Sequence, residues 1–85
     1  MNEQIKKQFG EKVLELRKDL ALTQTELSKI SKIERVQISK IENGNINVSL
    51  ETILKIAQAL RVEISELFNL NLENSPKPFV KWAGG

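Results

Sequence analysis

Four side chains in one short stretch, Arg35, Gln37, Ser39 and Lys40, can all donate hydrogen bonds. Set on a helix, such a row matches the acceptor-rich edges of base pairs in a DNA major groove. Arginine or lysine suits guanine O6 and N7, and glutamine suits adenine. Ser39 is expected nearer the phosphate backbone. The same residue types also occur on the ordinary solvated face of a small helical protein, so composition alone leaves both readings open.

The stretch that must position these donors is TQTELSKISKIERVQISKIENG, residues 23–44. Thr23 followed three places on by Glu26 makes a capping box, which predicts a helix over 24–31. Leu27 and Ile30 are expected on one apolar face. After a short break, Val36, Ile38 and Ile41 recur, predicting a second helix over 34–42 that stops at Asn43-Gly44. Two helices so closely joined predict a helix-turn-helix. In that arrangement the backbone N–H groups at the start of the 24–31 helix, beside Thr23 and Gln24, are expected at a phosphate. Asn45 and Asn47 in the following loop suit turns and can also hydrogen-bond phosphate. Glu34 is a poorer cap than serine, and its charge is unfavourable beside a phosphate.

These motifs resemble the helix-turn-helix family of phage Cro and repressor proteins, the Xre family, and the controller proteins of restriction–modification systems. The segments that carry the resemblance are LTQTELSKIS, KIERVQISKIENG, SLETILKIAQAL and ELF, in that order, within about residues 9–68. The resemblance implies an all-α, five-helix Cro/repressor-like bundle with an extended C-terminal tail, and binding to double-stranded DNA. By register it implies base contacts from Arg35, Val36 and Lys40, where Val36 would pack on a thymine methyl. It also implies that Arg17 pairs with Glu42. The family's usual glycine near the end of the first helix is Ala21 here, which puts the shape of that turn in question.

The remaining elements frame this pair. Ile5, Phe9, Val13, Leu16 and Leu20 make an apolar stripe over a helix predicted at 2–20, interrupted by Gly10 at a cost of about 1 kcal/mol relative to alanine. Ser49 is a good N-cap for a helix at 50–60. There Leu50, Ile53, Leu54, Ile56, Ala57 and Leu60 form a wide apolar face. A last helix is predicted at 64–68, behind Glu63. Ile64, Leu67, Phe68, Leu70 and Leu72 are the apolar side chains available for pairing with a second copy. A homodimer is expected, because one short helix reads too few base pairs to be selective in a genome.

The 85 residues divide into a helix-turn-helix domain at 1–70, a linker at 71–78 and a segment at 79–85. The last reads FVKWAGG, and with Pro78 it resembles the opening of Dam-type adenine-specific DNA methyltransferases. That resemblance implies an N-terminal piece of a longer methyltransferase in which Lys81, Trp82, Ala83, Gly84 and Gly85 help hold S-adenosylmethionine. For the 85 residues themselves no cofactor is expected. A free-standing regulator and a protein–protein or antitoxin module are the alternatives.

There is no cysteine and no histidine, which removes disulfides, thiolate metal sites and the commonest general base. Catalysis by this stretch of chain alone is not expected. No signal-peptide core or membrane-length apolar run is visible, so a cytoplasmic location is expected. The net charge of +2 says little by itself; the clustering of positive charge is what matters.

Overall fold

The computed structural model describes residues 2–68. Its architecture is all-α: α1 (Glu3–Asp19), α2 (Gln24–Ser31), α3 (Arg35–Glu42), α4 (Leu50–Leu60) and α5 (Ile64–Leu67), with no strand among the described residues. The proposed divisions at 71–78 and 79–85 lie outside the described residues, as do Leu70 and Leu72.

Each N-terminus is set by local chemistry. Asn2 caps α1 by accepting from the Ile5 N–H at 2.8 Å. Thr23 Oγ1 accepts from the Glu26 N–H at 3.0 Å, and Glu26 Oε1 accepts from the Thr23 N–H at 2.8 Å, completing the capping box. Ser49 caps α4. Glu34 and Glu63 stand at the N-caps of α3 and α5 without a side-chain cap bond. The helices predicted at 2–20 and 34–42 therefore begin one residue later than expected.

The C-termini of α1 to α4 share a left-handed residue, but only once is it glycine. Gly44 ends α3 with φ 72°, its N–H donating to Ile41 and that of Asn45 to Lys40. Ala21, Lys32 and Arg61 adopt the same region at φ 58°, 65° and 60°. Ala21 thus makes the turn that glycine makes in the resembled family, keeping the chain path and accepting the Cβ strain of that region.

α1 lies on α3, α2 packs on α3 and α4, and α5 closes against α4 and α1. Between them lie Phe9, Val13, Leu27, Ile33, Ile38, Ile41, Ile53, Ile56 and Leu67, all buried. Each such side chain contributes about 1.5–3 kcal/mol through burial. Phe68 stacks on Phe9 with ring centroids 5.0 Å apart. Leu67 is buried, while Ile64 and Phe68 pack against the core and stay partly exposed.

Several expected core positions are exposed. Ile30 is turned out of the α2 face that buries Leu27, and Leu20 lies beyond the end of α1. Leu50 and Leu54 lie at the edge of the α4 face that buries Ile53 and Ile56 and are 69% and 42% exposed. Gly10, expected as an interruption, is instead a contact point: a Cβ there would stand 2.9 Å from the Glu42 carbonyl oxygen. Its bare backbone lets α1 approach α3.

Candidate nucleic-acid interface

The turn between α2 and α3 is only three residues long, Lys32 to Glu34. Ile33 plugs into the core from its middle. Ser28 Oγ donates to the Ile33 carbonyl, and Ser31 Oγ accepts from the Ile33 N–H at 3.2 Å. These bonds and the left-handed Lys32 fix the relative orientation of the two helices.

α3 buries Ile38, Ile41 and Glu42. At 3.6 residues per turn the opposite side carries Val36, Lys40 and Asn43, all exposed. Val36 is 59% exposed, too open for a packing role in the domain. Ser39 flanks this row on the side of exposed Arg35, whereas half-buried Gln37 flanks it on the other. Arg35, Gln37 and Lys40 therefore spread around the helix instead of sharing one line. Asn43 was missed by the sequence reading, although it lies three residues past Lys40 on the same face; its place in the Asn-Gly stop masked that spacing.

Glu34 is exposed at the start of α3, and Asn45 and Asn47 are exposed in the loop after it. Thr23 is exposed, but its hydroxyl is engaged by its own helix cap. Lys81, Trp82, Ala83, Gly84 and Gly85, the residues assigned to S-adenosylmethionine, lie outside the described residues.

Behind this surface sits a buried ion pair. Arg17 of α1 reaches Glu42 at the last turn of α3 through two parallel bonds, Nε to Oε2 at 2.7 Å and Nη2 to Oε1 at 3.0 Å. The third guanidinium arm donates to the Leu22 carbonyl at 2.8 Å, tying in the turn before α2. Both residues are less than a tenth exposed. The hydrogen bond to Glu42, and secondarily its charge, raise the Arg17 pKa above the ordinary guanidinium value, while burial opposes them.

Gln24 joins this pair. Its Nε2 donates to Glu42 Oε1 at 3.0 Å, and its Oε1 accepts from Arg35 Nη1 at 3.4 Å. The side chain expected beside a phosphate is thus engaged within the protein. No sequence signal marks this link, because it joins residues brought together only by the packing of α2 on α3.

The chain is similar to several control proteins. The control protein C.MunI of Mycoplasma sp is 41% identical over 66 residues, covering 76% of this chain and 89% of that protein. The control protein C.BamHI of Bacillus amyloliquefaciens is 37% identical over 70 residues, 81% of this chain and 86% of that one. The crystal structure of the restriction-modification controller protein C.AhdI from Aeromonas hydrophila matches with a TM-score of 0.73 at 41% identity, over 74% of this chain and 96% of that chain. A model of the helix-turn-helix family HTH_3 matches residues 13–67, from the middle of α1 to the end of α5. The chain belongs to the HTH_3 helix-turn-helix family.

Proposed function

We propose that this protein is a transcriptional regulator of the controller type that binds double-stranded DNA in a sequence-specific manner through α3. The observation that carries the reading is the exposed row of Val36, Lys40 and Asn43, flanked by Arg35 and Ser39, on a helix clamped from behind by Arg17–Glu42. A rigidly held helix with a donor-rich, uncovered face can enter a major groove with its N-terminal residues at base edges. Arg35 and Lys40 read guanine, Val36 packs on a thymine methyl, and Ser39, Asn45 and Asn47 meet the backbone. The start of α2, at Gln24, faces a phosphate through backbone N–H groups that the capping box does not use, that of Thr23 being taken by Glu26 Oε1.

The controller assignment rests on relatives whose own names describe control proteins, two of them covered over more than four-fifths of their length. They lend nothing to the methyltransferase reading, which rests on PFVKWAGG alone. That second reading predicts that the gene continues past Gly85 into a catalytic domain, which its downstream nucleotide sequence tests directly.

A single α3 covers few base pairs, and a dimer on a pseudo-palindrome, with half-sites about 34 Å apart, supplies the missing selectivity. Selection of bound DNA from random sequence tests both levels. The expected product is a two-fold repeated motif. A pool with no enriched sequence would contradict the function, and one unrepeated half-site bound by a monomer would contradict the dimer.

A further inference from the structure

Gly44 brings the start of α1 against the end of α3. A Cβ on Gly44 would stand 3.0 Å from the Cα of Lys7, so the first turns of α1 lie directly on the Asn43-Gly44-Asn45 turn. Between them runs an open groove lined by Glu3, Gln4, Lys7, Asn43, Gly44 and Asn45. Every side chain along it is polar or charged, which fits a hydrated polar occupant and not an apolar one. Glu3 is paired with Lys6 at 3.4 Å. Lys7 is exposed and forms no ion pair among the described residues. Nor is Lys7 needed to finish α3, because the Lys40 and Ile41 carbonyls already accept from the Asn45 and Gly44 N–H groups. The groove is continuous with the outer face of α3, since Asn43 belongs to both.

We propose that this groove is a phosphate-binding subsite, in which Lys7, with the Asn43 and Asn45 amides, holds one backbone phosphate of the DNA that α3 enters. This rests on the reading of α3 as the DNA-contacting helix. A recognition helix puts its N-terminal residues at base edges, so its C-terminal end stands toward the wall of the major groove, where a phosphate strand runs. Lysine acts on a phosphate as a point charge, and the two amides add neutral donors beside it. A backbone phosphate is the same at every base pair, so the contact adds affinity and register but no base preference. It brings α1, which otherwise lies behind the reading surface, to the bound strand. Gly10 and Arg17, on the same side of α1 as Lys7, fix that helix to α3. Lys7 is thereby carried at a set position relative to the base-reading side chains.

The test uses Lys7→Gln, which removes the charge and keeps a polar side chain. Lys12→Gln, two residues past Gly10 and so on the far side of α1, is the control. Thermal melts are recorded for each, and binding to the selected site and to a random duplex is measured across a salt series. Lys7→Gln is expected to keep the Tm and the base preference, to weaken both duplexes alike, and to lower the salt slope by about 0.9. The advantage of the parent over the variant should then shrink about threefold between roughly 50 and 200 mM salt. A scan of single neutral methylphosphonate linkages locates the contact: one linkage that weakens the parent should leave Lys7→Gln unaffected. An equal slope change in Lys12→Gln would reduce the effect to net charge. An unchanged slope, with or without a lower Tm, would confine Lys7 to a structural role. Either result overturns the subsite and leaves base reading by α3 standing. A parent protein that binds neither duplex would overturn the subsite together with the reading beneath it.

Discussion

Gly10 and Glu42 touch backbone to backbone: a β-carbon on Gly10 would stand 2.9 Å from the Glu42 carbonyl oxygen, closer than side-chain carbons tolerate. The same Glu42 holds Arg17 through its side chain. One residue of α3 therefore meets α1 twice, once through shape and once through charge. Helix propensity alone says that Gly10→Ala gains about 1 kcal/mol. Crowding against a helix backbone that cannot swing aside costs about 1–3 kcal/mol, and here it should win. The expected result is a Tm lower by several degrees. A melting curve at or above that of the parent would show that α1 can back away from α3 freely.

The Arg17–Glu42 pair should be strongly coupled. Removing either partner strands a buried charge, at about 3–5 kcal/mol. Thermal or denaturant unfolding of Arg17→Ala, Glu42→Ala and the double variant should show a double loss well below the sum of the singles. Additive losses would contradict the pairing. The raised pKa belongs to the arginine. A raised folded pKa gives stability that is fully present below the unfolded value and is lost as pH rises through the folded one. That window lies far above neutrality, so Arg17 lends no pH dependence to folding near pH 7.

Ala21 holds φ 58° with a side chain, where the left-handed region costs an L-residue about 1–2 kcal/mol. Ala21→Gly relieves that strain and gives back part of the gain through a more flexible unfolded chain. A net gain of about 0.5–1 kcal/mol is expected, read as a small rise in Tm. A fall would mean that the methyl group contributes packing that outweighs its strain.

What was legible in the sequence is what short-range chemistry decides. Thr23 and Glu26 cap α2 because both bonds close within one turn, and Asn43-Gly44 ends α3 for the same kind of reason. Phe9 and Val13 follow the helical period into the core. Periodicity says which residues share a face, but not how much of that face a neighbour covers; hence Leu50 and Leu54 are exposed beside buried Ile53 and Ile56. Gly10 reads as a helix weakness until α3 is seen against it. Arg17 and Glu42 are 25 residues apart and were paired by family resemblance, not by pattern. The bridging position of Gln24 needed the packed structure, since nothing local distinguishes it from a solvated glutamine.

The central claim is that the outer face of α3 reads base sequence. The most direct measurement is the binding preference of Arg35→Ala and Lys40→Ala across a panel of single-base variants of the selected site. The account predicts that Arg35→Ala loses about 1–3 kcal/mol on the preferred site and relaxes preference at one position. Lys40→Ala either does the same at another position or, from a phosphate contact, weakens every site alike and lowers the salt slope by about one. Unchanged affinity and unchanged preference in both variants would contradict it.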